Sequence, residues 1–307
     1  MTPEESEQIA FLGAVLFENI SALILGVGLF GVYILAFIIS MHIVFQKENN
    51  GWAHKVLIAL LLAGFAMIAL VTCSNIAGNL LLVKFGLVMS LPGGLLAQET
   101  AANLKALLTS ILNNWSGNFI YLIADTAIIW RAWALWAENR LIKWTLLIIL
   151  LADIGISIAD NIVGTKAYLT SNSVTLDSLS TAVNLTVNIV ATLLIAYRAW
   201  SHHRLIHAIS RNKKTPVEAI LLLMIESGAI YGLVQVVTII FSVLDIQAAE
   251  LSPVDEVDVF LEQLYLYSAA LNPVALVILI QTGNTYEHSF HWEDVTSLEI
   301  NSVANVS

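Results

Sequence analysis

Residues Asp125 to Arg140 read DTAIIWRAWALWAENR. An acid and an arginine six positions later are separated by mostly apolar residues, and Trp130, Trp133 and Trp136 cluster around that arginine. Tryptophans concentrate where lipid headgroups meet acyl chains, and basic residues gather on the cytoplasmic side. The stretch therefore reads as the inner end of a membrane-crossing helix, with Asp125 deep and Arg131 nearer the surface.

The rest of the chain has the composition such a helix requires. Of its 307 residues, 58% are hydrophobic and only 12% charged, against roughly 25% charged in soluble domains. A soluble fold of this length could not cover so much apolar surface, so the fold class is all-α: a polytopic membrane protein. A bilayer core of about 30 Å takes about 20 apolar residues of helix. Seven segments qualify: Ser21 to Phe45, Lys55 to Leu82, Lys105 to Trp136, Ile142 to Val163, Val174 to Trp200, Pro216 to Leu244 and Val259 to Gln281. The apolar run after Gly78, interrupted by Lys84, reads as an extracellular extension of the second helix. The domain organisation expected is a short extracellular N-terminus (1–20), a seven-transmembrane helix bundle (21–283) and a disordered cytoplasmic tail (284–307).

Charge sets the orientation. Lys47, Lys55, Arg140, Lys143, Arg204, Arg211, Lys213 and Lys214 fall in the loops after the first, third and fifth helices, whereas the opposite side has Lys84, Lys105 and Lys166. Positive-inside logic places the N-terminus outside and the C-terminus in the cytoplasm. The net charge of -10 comes from acids in the termini and in the loop holding Asp245, Glu250, Asp255, Glu256 and Asp258, a pattern that gives nucleic acid nothing to bind. A single cysteine, Cys73, excludes an intrachain disulfide. The first 18 residues carry four glutamates and no base, unlike a secretory signal peptide, so the first membrane helix is expected to act as the targeting signal.

Ionisable and amide side chains inside a membrane are costly, which makes each one a candidate for function. Asn114, Asn118, Tyr121 and Asp125 fall at helical spacing on the third helix, Asn184 and Asn188 on the fifth, and Asp153 and Asp160 share a face of the fourth. Glu226 lies at a mid-membrane depth similar to that of Asp125. With Asn188 and Tyr231, these residues are expected to ring a wettable cavity among helices three to seven. The alternative is that they only hold helices together by hydrogen bonds. Arg131 is either a switchable ionic latch or a snorkelling or statically paired side chain. Gly228 and the Asn272-Pro273 pair are expected to let helices six and seven bend, and Arg204 and Arg211 to present a coupling surface.

His202, His203 and His207 have no carboxylate or thiol to complete a metal set and read as a solvated basic loop. No lysine in the last two helices could carry a retinal Schiff base, and no Gly-rich phosphate loop appears. A nucleophile, base and metal set is also missing, so neither an enzyme nor a cofactor is expected.

Asp125 with WRAWALW (Trp130 to Trp136), Asn139-Arg140 and the sixth-helix stretch Glu226-Ser227-Gly228-Ala229-Ile230-Tyr231 resemble a group of seven-helix, receptor-like membrane proteins of basidiomycete fungi. The chain departs from that group at Asn272-Pro273-Val274, where threonine tends to follow the proline. It also has a superficial similarity to rhodopsin-like G-protein-coupled receptors, but lacks the acid-Arg-aromatic triplet, a tyrosine three residues after Pro273 and a cysteine pair. The resemblance implies a seven-helix, receptor-like architecture more than an activity; the polar interior joined to a basic inner surface leads to the expectation of a plasma-membrane receptor-like protein that senses an external small molecule and signals to a G protein-like cytosolic partner. The competing expectation is a transporter or proton-coupled carrier that uses Asp125 and Glu226.

Overall fold

A computed structural model describes residues 3–46, 51–89, 92, 94–170, 176–209, 216–246, 248–249 and 251–304. Among these, seven α-helices follow one another without a strand: α1 (Pro3–Gln46), α2 (Trp52–Val83), α3 (Gly94–Leu135), α4 (Arg140–Thr170), α5 (Asp177–Ile209), α6 (Pro216–Asp245) and α7 (Pro253–Ala304). A π-helical turn, Lys84–Val88, extends α2 where the sequence led us to expect an extension. Among the described residues six helices are long and apolar enough to cross a membrane; α3 is the exception among the seven expected. The chain is thus a multi-pass, all-helical membrane protein.

Most helices outrun their apolar segments. The first begins at Pro3 rather than Ser21, and the third at Gly94 rather than Lys105. The seventh continues as helix to Ala304, where an irregular tail was expected from residue 284. Apolar length marks where a helix meets lipid, whereas α1 and α3 start earlier because Glu, Gln, Ala and Leu, which are good helix formers, precede their apolar segments.

Local chemistry sets several ends. Asn139, which follows the tryptophan cluster, caps α4: its Oδ1 accepts from the backbone N–H of Leu141 at 3.1 Å and of Ile142 at 3.4 Å. At α7 the Asp255 N–H donates to Ser252 Oγ (3.3 Å) while Asp255 Oδ2 accepts from the Leu251 N–H (2.7 Å), a reciprocal cap. Pro216 and Pro253 each open a helix, where a missing N–H costs nothing.

The helices form a closed ring. Each packs on its successor, α1 packs on α7, and α3 leans inward to touch α5 and α7 as well. Large apolar side chains such as Ile24, Leu35, Trp144, Leu151, Leu222 and Leu233 cover the outside. A water-soluble monomer rarely exposes apolar surface so continuously; in a bilayer it is the expected face. Within, Tyr33 and Phe37 of α1 stack with Phe65 of α2, and close approaches use glycine. A Cβ at Gly26 would lie 2.9 Å from Gln263 Oε1 of α7, and one at Gly228 would lie 2.5 Å from Thr192 Oγ1 of α5. Small residues four apart, here Gly228 and Gly232 against α5, are a common way to bring membrane helices together.

Candidate functional site

The inner face of α3 is polar because three- and four-residue steps stack side chains on one side of a helix. Asn114, Asn118, Tyr121 and Asp125 follow that rule. Facing them, α4 presents Asp153, Ser157, Asp160, Asn161 and Gly164. Asn118 Nδ2 joins the two helices, donating to Asn161 Oδ1 at 2.8 Å and to Asp160 Oδ2 at 3.3 Å. Trp115 Nε1 adds a bond to Thr165 Oγ1 at 3.0 Å.

At the amino-terminal end of the bundle these faces enclose a cavity of about 750 Å³. Seven carboxamides line it: Asn19, Asn75, Asn79, Asn113, Asn114, Asn118 and Gln263. Asp160 and Glu262 contribute acids, and among the described residues lining it there is no lysine, arginine or histidine. Gly78, Gly117 and Gly164 keep the walls back; a Cβ on Gly164 would lie 2.9 Å from Asn114 Nδ2. The cavity draws on α1 and α2 as well as the five helices expected from sequence.

Two stacked tyrosines, Tyr121 and Tyr265, form its floor, with ring centroids 4.4 Å apart and an interplanar angle of 12°. Tyr231 lies beyond, 6.0 Å from Tyr265 and buried. Asp125 sits one helical turn below Tyr121, is 0% exposed, and is not among the cavity-lining residues. Neither of its carboxyl oxygens accepts a hydrogen bond. Its electrostatic neighbour is Asp153 of α4, equally buried. With the Asn184 amide nitrogen turned toward α4, it donates to Asp153 Oδ1 at 2.6 Å and to the Ser180 carbonyl at 3.2 Å. The amide oxygen then faces the Tyr265 hydroxyl 3.3 Å away.

The expected site residues separate into groups. Asn114, Asn118 and Tyr121 line the cavity; Asp125 and Tyr231 lie beneath it. Asn188 fastens α5 to α6, donating to the Gly228 carbonyl at 3.1 Å and to Gln235 Oε1 at 2.9 Å. Glu226 corrects the sequence reading: it is exposed, on the lipid-facing side of α6, and does not join Asp125. The buried positions of α6 are Leu221, Gly228, Tyr231, Gln235 and Thr238. Glu226 precedes Gly228 by two residues, about 200° around a helix, so it points away from the face that carries Gly228.

Toward the other end, Arg131 is only 7% exposed, which excludes a snorkelling side chain. Its Nη2 donates to Asn272 Oδ1 at 3.2 Å and to the Asn272 carbonyl at 3.4 Å. Pro273 follows within continuous helix, and Ser40 Oγ of α1 donates to the next carbonyl, of Val274, at 2.9 Å. The seventh helix is therefore fastened at its proline from both α1 and α3. Nearer the surface, Trp136 Nε1 donates to the Leu194 carbonyl, Arg198 lies over the Trp136 ring at 5.5 Å, and exposed Arg204 lies 3.9 Å above Trp200. Arg211, Lys213 and Lys214 fall outside the described residues.

Sequence reasoning missed Tyr265 and Asn161. The α4 stripe was readable from the spacing of Asp153, Asp160 and Gly164, but Tyr265 sits in an apolar run that looks like ordinary core. Among the described residues no group of three or more His, Cys, Asp or Glu is placed to hold a metal ion. The cavity offers amide donors and acceptors, hydroxyls and an aromatic floor, with two acids and, among its described lining residues, no base. Compared with models of protein families, with curated proteins and with solved structures, the chain matches none.

Proposed function

We propose that this is a receptor-like membrane protein of seven spans that takes a polar small molecule into the amide-lined cavity and signals at the opposite end. One observation carries the reading: a chamber with seven carboxamides and no base, built on the helix that also carries the buried Arg131–Asn272 contact. Amides and hydroxyls recognise neutral groups by paired donors and acceptors, and Asp160 and Glu262 favour positive over negative charge. The ligand class is therefore uncharged or cationic and rich in hydroxyl or amino groups.

In this reading α3 is the seventh span, its polar side chains shielded by the helices packed around it. The loop bases support an outside N-terminus, with the cavity facing outward and Arg204 and its basic neighbours facing a cytosolic, G protein-like partner. The plasma membrane is where such an external ligand would be met. The resemblance of Trp130 to Trp136 and Glu226 to Tyr231 to the basidiomycete seven-helix proteins is in keeping with this reading.

Ligand-induced stabilisation of the purified full chain tests the proposal. Polyols, amino sugars and small amines are compared with carboxylates and phosphates. The expected result is saturable stabilisation by members of the first group, lost in Asn118→Leu. Stabilisation by anions only, or by nothing, would overturn it.

A second reading, a carrier, is favoured by the carboxyl pair Asp125 and Asp153 under the cavity floor; Glu226 has no part in it. Carriers place ionisable groups near the membrane midplane. Reconstituted protein would then move its solute across a vesicle membrane, and Asp125→Asn would abolish flux while leaving binding intact. Binding without flux in the wild type would exclude this reading.

A further inference from the structure

The seam between α3 and α4 holds a charge imbalance that solute recognition does not use. Asp125 and Asp153 are fully buried on facing helices and within electrostatic reach of each other. Three of their four carboxyl oxygens accept no hydrogen bond; the fourth, Asp153 Oδ1, is met by Asn184. The titratable groups packed around Asp125 are Asp153 of α4, Tyr231 of α6 and Tyr265 of α7, while α5 offers the neutral Asn184. None of these supplies positive charge. Arg131, two turns along α3, is engaged with Asn272 on a different side of the helix. Buried carboxylates without a counter-charge are strongly unfavourable; a proton on one of the pair leaves a single negative charge, which one monovalent cation would balance.

A second feature says where it comes from. Ser157 follows Asp153 by one turn on the same face of α4, is 1% exposed, and its hydroxyl has no partner. One further turn along, Asp160 lines the cavity. Asp160, Ser157 and Asp153 thus form a file of oxygens leading from the chamber to Asp125. Only hard oxygen atoms are present, with no thiolate or imidazole, which suits alkali and alkaline-earth ions rather than transition metals. Four unengaged oxygens (two from Asp125, one each from Asp153 and Ser157) fall short of the six to eight that calcium takes.

We propose that Asp125, Asp153 and Ser157 form a binding site for one sodium-sized monovalent cation, entered from the cavity past Asp160. It depends on the cavity reading for its entrance only, not on which organic molecule the cavity accepts. The ion draws α3 and α4 together below the tyrosine floor, so its occupancy and the chamber's are linked.

The test uses the purified full chain in lipid nanodiscs. Apparent melting temperature is followed against sodium chloride, with choline, potassium and calcium chloride at matched ionic strength, at two pH values. Sodium should raise it saturably, as a ligand of the folded state does, and choline should not. Asp125→Asn should lose the response, and Ser157→Ala should need several-fold more sodium. Sodium-23 relaxation on the wild type, competed by unlabelled lithium but not choline, gives a readout that needs no variant to fold. Equal responses to sodium and choline, a response to calcium alone, or one that follows pH with no preference among cations would each overturn the proposal. Sodium binding without any organic ligand leaves this site standing and sinks the receptor reading; the reverse does the opposite.

Discussion

Replacing Gly228 by alanine should separate two roles for this residue, a bending point in α6 or a weld to α5. In a free helix the change is favourable by about 1 kcal/mol, because glycine loses more backbone freedom on folding. Here the added Cβ would stand 2.5 Å from Thr192 Oγ1 and 3.3 Å from its Cγ2. Overpacking of this kind costs about 1–3 kcal/mol. If Thr192 turns aside, it gives up its bond to Asn188 Oδ1, 3.2 Å long, for about 1 kcal/mol. The net expectation for Gly228→Ala is destabilisation by about 1–2 kcal/mol. In a Thr192→Ala background the obstacle is gone, and the same change should be neutral or stabilising by up to about 1 kcal/mol. Unfolding of the four proteins in mixed micelles gives the coupling energy, expected to be about 2 kcal/mol. A Gly228→Ala effect that is independent of residue 192 would refute the packing argument and return the residue to a bending role.

Other substitutions probe the remaining contacts. Asn272→Ala removes the side-chain acceptor of a buried guanidinium and should cost about 1.5–3 kcal/mol, measured by the same unfolding assay; a neutral result would mean that the α3–α7 contact is not formed. Because Glu226 is exposed on the outer side of α6, Glu226→Gln should leave ligand binding unchanged and stability within about 0.5 kcal/mol, checked by titration and melting. Asn139→Ala takes away the α4 cap and should lower stability by about 1 kcal/mol, with no change in ligand affinity.

How much of this was legible in the sequence depends on which physical signal each feature rests on. Six of the helices were legible because a bilayer imposes a minimum apolar length, which α3 does not meet, and the polar stripe of α3 because Asn114, Asn118, Tyr121 and Asp125 keep helical register. Glu226 misled because depth along a helix was read without its rotation; the inward set through Gly228, Tyr231 and Gln235 fixes that rotation, and the acid lies off it. Arg131 was read from its position beside tryptophans, but its burial depends on Asn272, 141 residues away. No local pattern reports such a pairing. The pairing of Asp125 with Asp153 was equally out of reach, since it needs the relative rotation of two helices.

The polarity of α3 bears on how the protein is made. Alone in lipid, an acid or an arginine near the middle of a helix costs about 2.5–3.5 kcal/mol to insert, and α3 carries Asp125, Arg131 and a row of amides. Its neighbours on either side in the chain are apolar enough to enter without help. If α3 is the seventh span, as proposed above, it is expected to wait beside the insertion machinery until α4 emerges to cover Asn118 and Asp125. Mutations that weaken that meeting should show first as failed biogenesis and rapid turnover, before any loss of binding can be measured.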